Sequence, residues 1–339
     1  MGLILGIDTS CYTTSVALVD NAGKLVADER QLLSVAEGER GLQQSAAVFQ
    51  HIRNLPGLIE KLSLRDRRDS VVLVAASTRP RPVAGSYMPV FMVSEGFART
   101  LAEALQIPFT ATSHQEAHLM AGLWSAGGPA KDRFLAIHLS GGTSELLLVE
   151  RNQETGSAPL YPGDTPMFKV EKLGGTTDLH AGQFVDRIGV ALGLSFPCGP
   201  ELQKLAEGAE GVIKAPSVVR GMDISFSGPE SHLRRVIAEG NAPREIARAV
   251  EHCIATTMEK LIRRGMDSTG IKDILMVGGV AANNYLRHRL VARLGHPSAG
   301  TSLYFAEPRF STDNAVGTAI MGLQRNKDYK NTEGVLKDI

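Results

Sequence analysis

Phe134-Leu135-Ala136-Ile137-His138-Leu139-Ser140-Gly141-Gly142-Thr143-Ser144-Glu145-Leu146-Leu147-Leu148-Val149-Glu150 repeats in outline a stretch at the start of the chain. An apolar run reads as a buried strand, a small polar turn follows, and a second apolar run returns. The earlier copy has its strand at 3–7, Asp8-Thr9-Ser10 at the tip, Thr14 to Asp20 returning and Asn21-Ala22-Gly23 as the next turn, with a third strand over 24–28. Two halves that open alike predict a duplicated α/β unit with a cleft between the copies. The Gly-rich break Ser125-Ala126-Gly127-Gly128-Pro129 divides them. Both turn tips have the small polar chemistry that holds phosphate, and glycine brings the Ser140-Gly141-Gly142 backbone closest to a ligand. Each also reads as an ordinary hairpin turn.

Between the hairpins lie a helical pattern over 41–62, with Pro56 expected to kink or restart it, and an apolar strand over 71–76. A stiff basic loop, Ser77-Thr78-Arg79-Pro80-Arg81-Pro82, a helix over 93–105 and a strand over 107–110 follow. Then come His114 and His118, four apart on one face of a helix, close enough to share an ion, with Ser113 as N-cap and Glu116 completing a capping-box pattern. Such a pair also arises by chance. In the second half, Asp178, Asp186 and Arg187 precede Phe196-Pro197-Cys198-Gly199-Pro200, a rigid turn able to set a carboxylate near a ribose or phosphate. A helix over 244–264 and a strand over 271–277 lead into Gly278-Gly279-Val280-Ala281-Ala282-Asn283, where the backbone can meet a flat ligand. After Tyr304-Phe305, Ser311-Thr312-Asp313-Asn314 caps a helix over 315–323, and the polar chain beyond Lys327 is expected to be loosely held.

The 339 residues, 43% hydrophobic, suffice for two cores. Lys+Arg and Asp+Glu are both 36, so charge gives no sign of nucleic-acid binding, and 5% aromatics argue against a base-stacking platform. Cys11, Cys198 and Cys253 are too few and too far apart for a disulfide framework. With neither a basic leader nor a membrane-length apolar run, a cytoplasmic protein is expected.

The order Asp8-Thr9-Ser10-Cys11, His114-x3-His118, Ser140-Gly141-Gly142, Gly182-x3-Asp186, Pro197-x-Gly199-Pro200, Phe226-Ser227-Gly228, Gly278 to Asn283 and Thr312-Asp313-Asn314 resembles the tRNA N6-threonylcarbamoyladenosine synthase (TsaD) family, once labelled O-sialoglycoprotein endopeptidases. The resemblance covers about residues 3–325. It implies the actin/hexokinase-like (ASKHA) α/β fold: two ribonuclease-H-like lobes with a nucleotide- and metal-binding cleft. The lobes would be 1–124 and 130–311, with a helical insertion about 175–265, a helix 312–325 packing back on the first lobe and a tail 326–339.

It implies one divalent ion, Fe(II) or Zn(II), on His114, His118 and Asp313. Ser140, Gly141, Gly142 and Thr143 would cradle the phosphate or threonylcarbamoyl group, Asp186, Gly199, Gly279 and Asn283 the nucleotide, and Thr9 and Ser10 would face the phosphates. His138, on a strand two residues before Ser140, is a candidate further ligand or substrate contact, since some relatives carry a metal-binding tyrosine there; a buried strand histidine is the other reading. The implied reaction moves the threonylcarbamoyl group of threonylcarbamoyl-adenylate to N6 of adenosine 37 of tRNA. Implied partners are tRNA and TsaB- and TsaE-type proteins, with a homodimer left open.

The chain departs from the family at Tyr12 and Thr13, where acidic residues are usual, at Thr143 for a histidine, at Gln183 for a glutamate, and at Arg79-Pro80-Arg81-Pro82 for Pro-Gly-Leu. That pattern fits a divergent paralogue, leaves no catalytic residue assigned, and keeps open a carbamoyltransferase with another acceptor or a non-catalytic nucleotide-binding partner. A zincin-type peptidase is disfavoured: Gln115 stands where its glutamate base is needed, and Glu116 lies about 200° around the helix from His114.

Overall fold

A computed structural model describes residues 2–35, 41–152, 166–211, 213–295 and 300–337, with side chains through 327. β1 (Leu3–Asp8), β2 (Thr13–Asp20) and β3 (Leu25–Leu32) form an antiparallel meander, with Leu5 opposite Leu18. After α1 (Gln44–Lys61) and the short α2 (Leu64–Arg67), β4 (Val71–Arg79) pairs parallel to β1; after α3 (Phe91–Leu105), β5 (Phe109–Ser113) pairs parallel to β4. The sheet order is β3-β2-β1-β4-β5. β1 and β2 are buried along their whole length because both faces are covered, so their apolar runs do not alternate. α1 runs through Pro56 without restarting. Both Pro56 and Ile52, whose carbonyl loses its helical donor, are exposed, so water can replace that bond.

α4 (His114–Ala126) crosses to the second half, where β6 (Arg133–Leu139), β7 (Ser144–Arg151) and β8 (Phe168–Thr176) repeat the meander. α5 (Ala181–Ala191), α6 (Gly199–Glu207), the hairpin of β9 (Val218–Arg220) and β10 (Asp223–Ser225), α7 (Ser227–Ala238) and α8 (Pro243–Thr269) follow. β11 (Asp273–Val277), α9 (Asn284–Leu294), β12 (Ser302–Phe305), α10 (Pro308–Ser311) and α11 (Val316–Lys337) complete the chain. The second sheet, β12-β11-β6-β7-β8-β10-β9, reproduces the order of the first over its first five places and adds one hairpin at the edge. The duplication read from the two hairpins is therefore present in strand order and direction. α11 runs past the apolar pattern that ends at Leu323 and continues to Lys337.

Strand pleat sorts the core. Leu3, Leu5 and Ile7 pack outward with Leu55 of α1 and Val93 of α3, while Ile4 faces inward. The inner layer joins both sheets: Ile4, Leu73 and Ala75 from the first, Ala136, Leu147 and Leu275 from the second, with α4 and α11 between them. The two helices meet backbone to backbone. A Cβ on Gly317 would lie 1.9 Å from the Ala117 carbonyl oxygen and 3.0 Å from the Ala121 nitrogen. This contact sets the starts of both helices side by side.

Gly317→Ala should therefore push α11 off α4 and destabilise the protein by about 1–3 kcal/mol, read as a lower urea midpoint. Gly57→Ala, on the open side of α1 with no atom near its Cβ position, should leave the midpoint unchanged or raise it by up to about 1 kcal/mol.

Candidate metal and nucleotide site

Ser113 ends β5 and caps α4: its Oγ accepts the Glu116 N–H at 3.3 Å and donates to Glu116 Oε2 at 2.7 Å. Glu116 thus turns back to the Ser113 hydroxyl, in place of the backbone N–H that the expected box would use. Its Oε1 accepts the Met167 N–H at 2.7 Å and so ties the helix start to the second lobe. His114 and His118 then face the start of α11. Asn314 caps that helix by accepting the Val316 N–H at 3.0 Å, which leaves the Asp313 carboxylate free to face the histidines.

His118 Nε2 lies 3.2 Å from Asp313 Oδ1, and His114 Nε2 3.5 Å from the same oxygen. Donors about 2.0–2.1 Å from a tetrahedral ion stand about 3.3 Å from one another, so this spacing suits a shared cation. Asp8, almost fully buried, holds His114 from behind. It accepts the Ser10 N–H and Oγ–H at 3.0 Å each and contacts His114 Nδ1 at 3.2 Å. A carboxylate only accepts, so Nδ1 carries a proton and Nε2 is the nitrogen that can give its lone pair to an ion once its own proton has left. Cys11 joins this side: one donor atom from each of Cys11, His114 and Asp313 lies within 4.8 Å of the others.

The electrostatics divide the histidines. Burial pushes His114 down, but the charge and hydrogen bond of Asp8, with Cys11 and Asp313, hold it well above its ordinary value. Burial and the neighbouring His114 lower His118 despite Asp313. Burial, then His118, His114 and Arg81, hold His138 well below. Burial raises Asp313, but the His118 hydrogen bond and the two imidazoles bring it below the usual range. Burial and Asp313 push the Cys11 thiol up.

His138 stands directly opposite Glu145 across β6 and β7, its ring 4.8 Å from that of His118 and its Nε2 buried without a partner. Neither His138 nor His118 belongs to the Cys11-His114-Asp313 group whose donor atoms all lie within 4.8 Å of one another; His118 meets it through Asp313. Arg81, from the basic loop of the first lobe, reaches Glu145 at 2.9 Å, and Lys172 reaches it at 3.1 Å.

A cavity of about 1050 Å³ opens from Asp313 between the lobes. Ser140, Gly141, Asp186, Gly199, Gly279 and Asn283 line it, as do Tyr12, Thr13, Phe196 and Glu251. Gly182 permits the Ser140-Gly141 turn to sit on α5, since a Cβ there would lie 2.7 Å from Gly141 Cα. Asp186 accepts the Cys198 N–H at 2.9 Å, which fixes it beside the Pro197-Cys198-Gly199 loop; burial raises its pKa although that N–H lowers it.

Several expectations need correction. Thr9 and Ser10 do not face a ligand. Both are fully buried: Thr9 Oγ1 donates to the Val90 carbonyl and accepts the Ser94 N–H, while the Ser10 hydroxyl is spent on Asp8. Gly142 and Thr143 lie outside the cavity lining; the Thr143 carbonyl closes the turn onto the Ser140 N–H at 2.7 Å. The Asn283 side chain caps α9 and donates to Glu251 at 2.6 Å, so it positions this wall. Asp178 is structural: burial pushes it up, but the Ser225 and Ser227 hydroxyls and two backbone N–H groups hold its carboxyl far below the usual range. The sequence reading missed Asp8, Cys11, Glu145 and Glu251 as site residues. Glu251 was legible, because it falls on the apolar stripe of α8 among Ala247, Val250 and Ile254.

Two meanders in one strand order, with a cleft between them, define the actin/hexokinase-like class. Solved structures agree at the level of fold. HypF from T. kodakarensis superposes with a TM-score of 0.59 at 14% identity, covering 96% of this chain and 48% of that one. Component A of the (R)-2-hydroxyglutaryl-CoA dehydratase of Acidaminococcus fermentans gives 0.55 at 14%, covering 96% and 99%. The family described as TsaD, tRNA N6-adenosine threonylcarbamoyltransferase, matches residues 36–320. A tRNA N6-adenosine threonylcarbamoyltransferase of Thermus thermophilus is 30% identical over 96% of this chain and 93% of its own. The chain belongs to the TsaD family, a family of transferases that act on tRNA.

In chelator-treated protein, the unfolded chain takes up protons at His118 and His138 that the folded chain refuses, so stability falls as pH drops below about 6.5. The His114 contribution has the opposite sign: it is present below about 6.5 and lost as pH rises through the raised folded value. His138→Leu should flatten the acid arm and Asp8→Asn the alkaline one, each by up to about 1.4 kcal/mol per pH unit, in urea midpoints between about pH 5 and 8.

Proposed function

We propose that this chain transfers the threonylcarbamoyl group of threonylcarbamoyl-adenylate to N6 of adenosine 37 of tRNA, with one divalent ion, Fe(II) or Zn(II), on His114, His118 and Asp313. The observation that carries the reading is the junction of two features. Asp313 lies within 3.5 Å of both imidazoles and also lines the cavity bounded by Ser140, Gly141 and Asp186. The donor set, two imidazoles and a carboxylate, suits a borderline divalent ion. Related folds support the nucleotide: a ROK family glucokinase from Streptomyces griseus, TM-score 0.50 at 12% identity, was solved with glucose and AMPPNP. In this reading residues 1–124 and 130–311 are the two lobes, with about 175–265 inserted in the second, 312–325 returning to the first and 326–339 as tail.

When bound, the ion supplies a Lewis acid for the carbamoyl oxygen. The chain does the rest. The Ser140-Gly141 turn receives the phosphate, Asp186 holds a ribose hydroxyl, and the N-termini of α4 and α11 direct positive potential at the anion. N6 attacks the carbamoyl carbon, the bond to the phosphate oxygen breaks, and AMP leaves. His138, kept neutral by burial and its cationic neighbours, is the further ligand or substrate contact in this reading, and the proton that N6 loses goes to solvent. A TsaB-type partner or a second copy suits α1, which leaves Phe49 60% and Ile52 46% exposed, and a TsaE-type protein completes the set. The protein acts in the cytoplasm; among the described residues no helix is long and apolar enough to cross a membrane.

A second reading, transfer to another acceptor, is favoured by Thr13. It lines the cavity where the family carries an acidic residue, and Tyr12 beside it packs edge-on against Phe196 at 5.5 Å.

The test supplies threonylcarbamoyl-adenylate and unmodified tRNA, with and without a TsaB-type partner. Modified adenosine is expected. Asp8→Asn should cost about 10–100-fold, and His118→Ala more. Adenylate consumption without modified tRNA favours the second reading; no consumption in any combination overturns both.

A further inference from the structure

The proposed function gives Cys11 no role, yet the fold sets it beside His114 and Asp313. Its backbone φ is +47°, a left-handed conformation that non-glycine residues rarely adopt and that costs about 1 kcal/mol or more. The residues before it are locked: Thr9 by Val90 and Ser94, Ser10 by two bonds to Asp8. The left-handed turn brings Sγ into the group of donor atoms, one each from Cys11, His114 and Asp313, that lie within 4.8 Å of one another. The other two cysteines are buried elsewhere and donate to carbonyls: Cys198 to Asp186 and Leu194, Cys253 to Pro216.

We propose that Cys11 is a sulfur ligand of the ion held by His114, His118 and Asp313, giving a set of one sulfur, two nitrogens and one oxygen. The proposal rests on the metal reading above. The thiol proton leaves to solvent as the sulfur–metal bond forms. A thiolate in the set turns the site toward Zn(II), Fe(II) or Co(II) and away from Mg(II), which takes oxygen donors. The strained turn also gains a purpose, because an extended residue at 11 would carry its side chain elsewhere.

Co(II) alone is the probe, added to chelator-stripped full-length protein. Wild type should bind one Co(II) per chain with the d–d bands of a four-coordinate ion and an intense near-ultraviolet sulfur-to-cobalt charge-transfer band. Cys11→Ser should keep d–d bands, lose the charge-transfer band and bind Co(II) at least about tenfold more weakly, while Cys198→Ser keeps both bands. One bound Co(II) without the charge-transfer band in wild type, or a band that survives in Cys11→Ser, overturns the proposal and leaves the metal reading standing. No Co(II) bound by wild type overturns both. If Cys11→Ser fails to fold by circular dichroism, alkylation of the wild type decides: Co(II) should slow iodoacetamide modification of Cys11 at least about tenfold, and an unchanged rate overturns the proposal.

Discussion

The contact of α4 with α11 is the constraint on which the site depends. These helices begin some two hundred residues apart in sequence, yet Gly317 lets one backbone rest on the Ala117 carbonyl of the other. Both lie in the inner layer between the sheets, packed against apolar side chains from each. A side chain at the crossing would force the axes apart, and His118 and Asp313 would separate with them. Their 3.2 Å approach is thus a product of packing rather than of the weak attraction between two polar groups.

The same layer sets the charges. Three histidines with rings within 4.8 Å of a neighbour cannot all be protonated where solvent is excluded. Asp8 decides which one is held high, because it backs His114 alone. His118 and His138 are left neutral, with one ring nitrogen each buried and unpartnered. Such nitrogens are costly unless something uses them. Tyr12 and Gln183 each have a structural partner of their own. Tyr12 meets Phe196 across the mouth of the cavity, and Gln183 accepts the His180 N–H at the start of α5.

Local periods were legible in the sequence. The repeated strand–turn–strand pattern predicted the duplicated sheets, and the i, i+4 spacing predicted that His114 and His118 share a face. The pairing with Asp313 is non-local, and only the family resemblance implied it. Thr9 and Ser10 misled because a hydroxyl at a strand tip looks the same whether it meets a phosphate or its own backbone; Val90 and Ser94 arrive from a different element. Cys11 was legible as a residue, but its place beside His114 and Asp313 was not, since those arrive from other elements. α11 outran its apolar pattern, and no proline follows Leu323 to stop it.

The central claim is that α4 and α11 bring His114, His118 and Asp313 to one cation. Crystals grown with Zn(II) or Fe(II) and measured on both sides of the metal absorption edge test it most directly. The account predicts one anomalous peak per chain, about 2.0–2.2 Å from a nitrogen of each histidine and an oxygen of Asp313. A peak elsewhere, or none at this point with the metal present in the crystal, would contradict it.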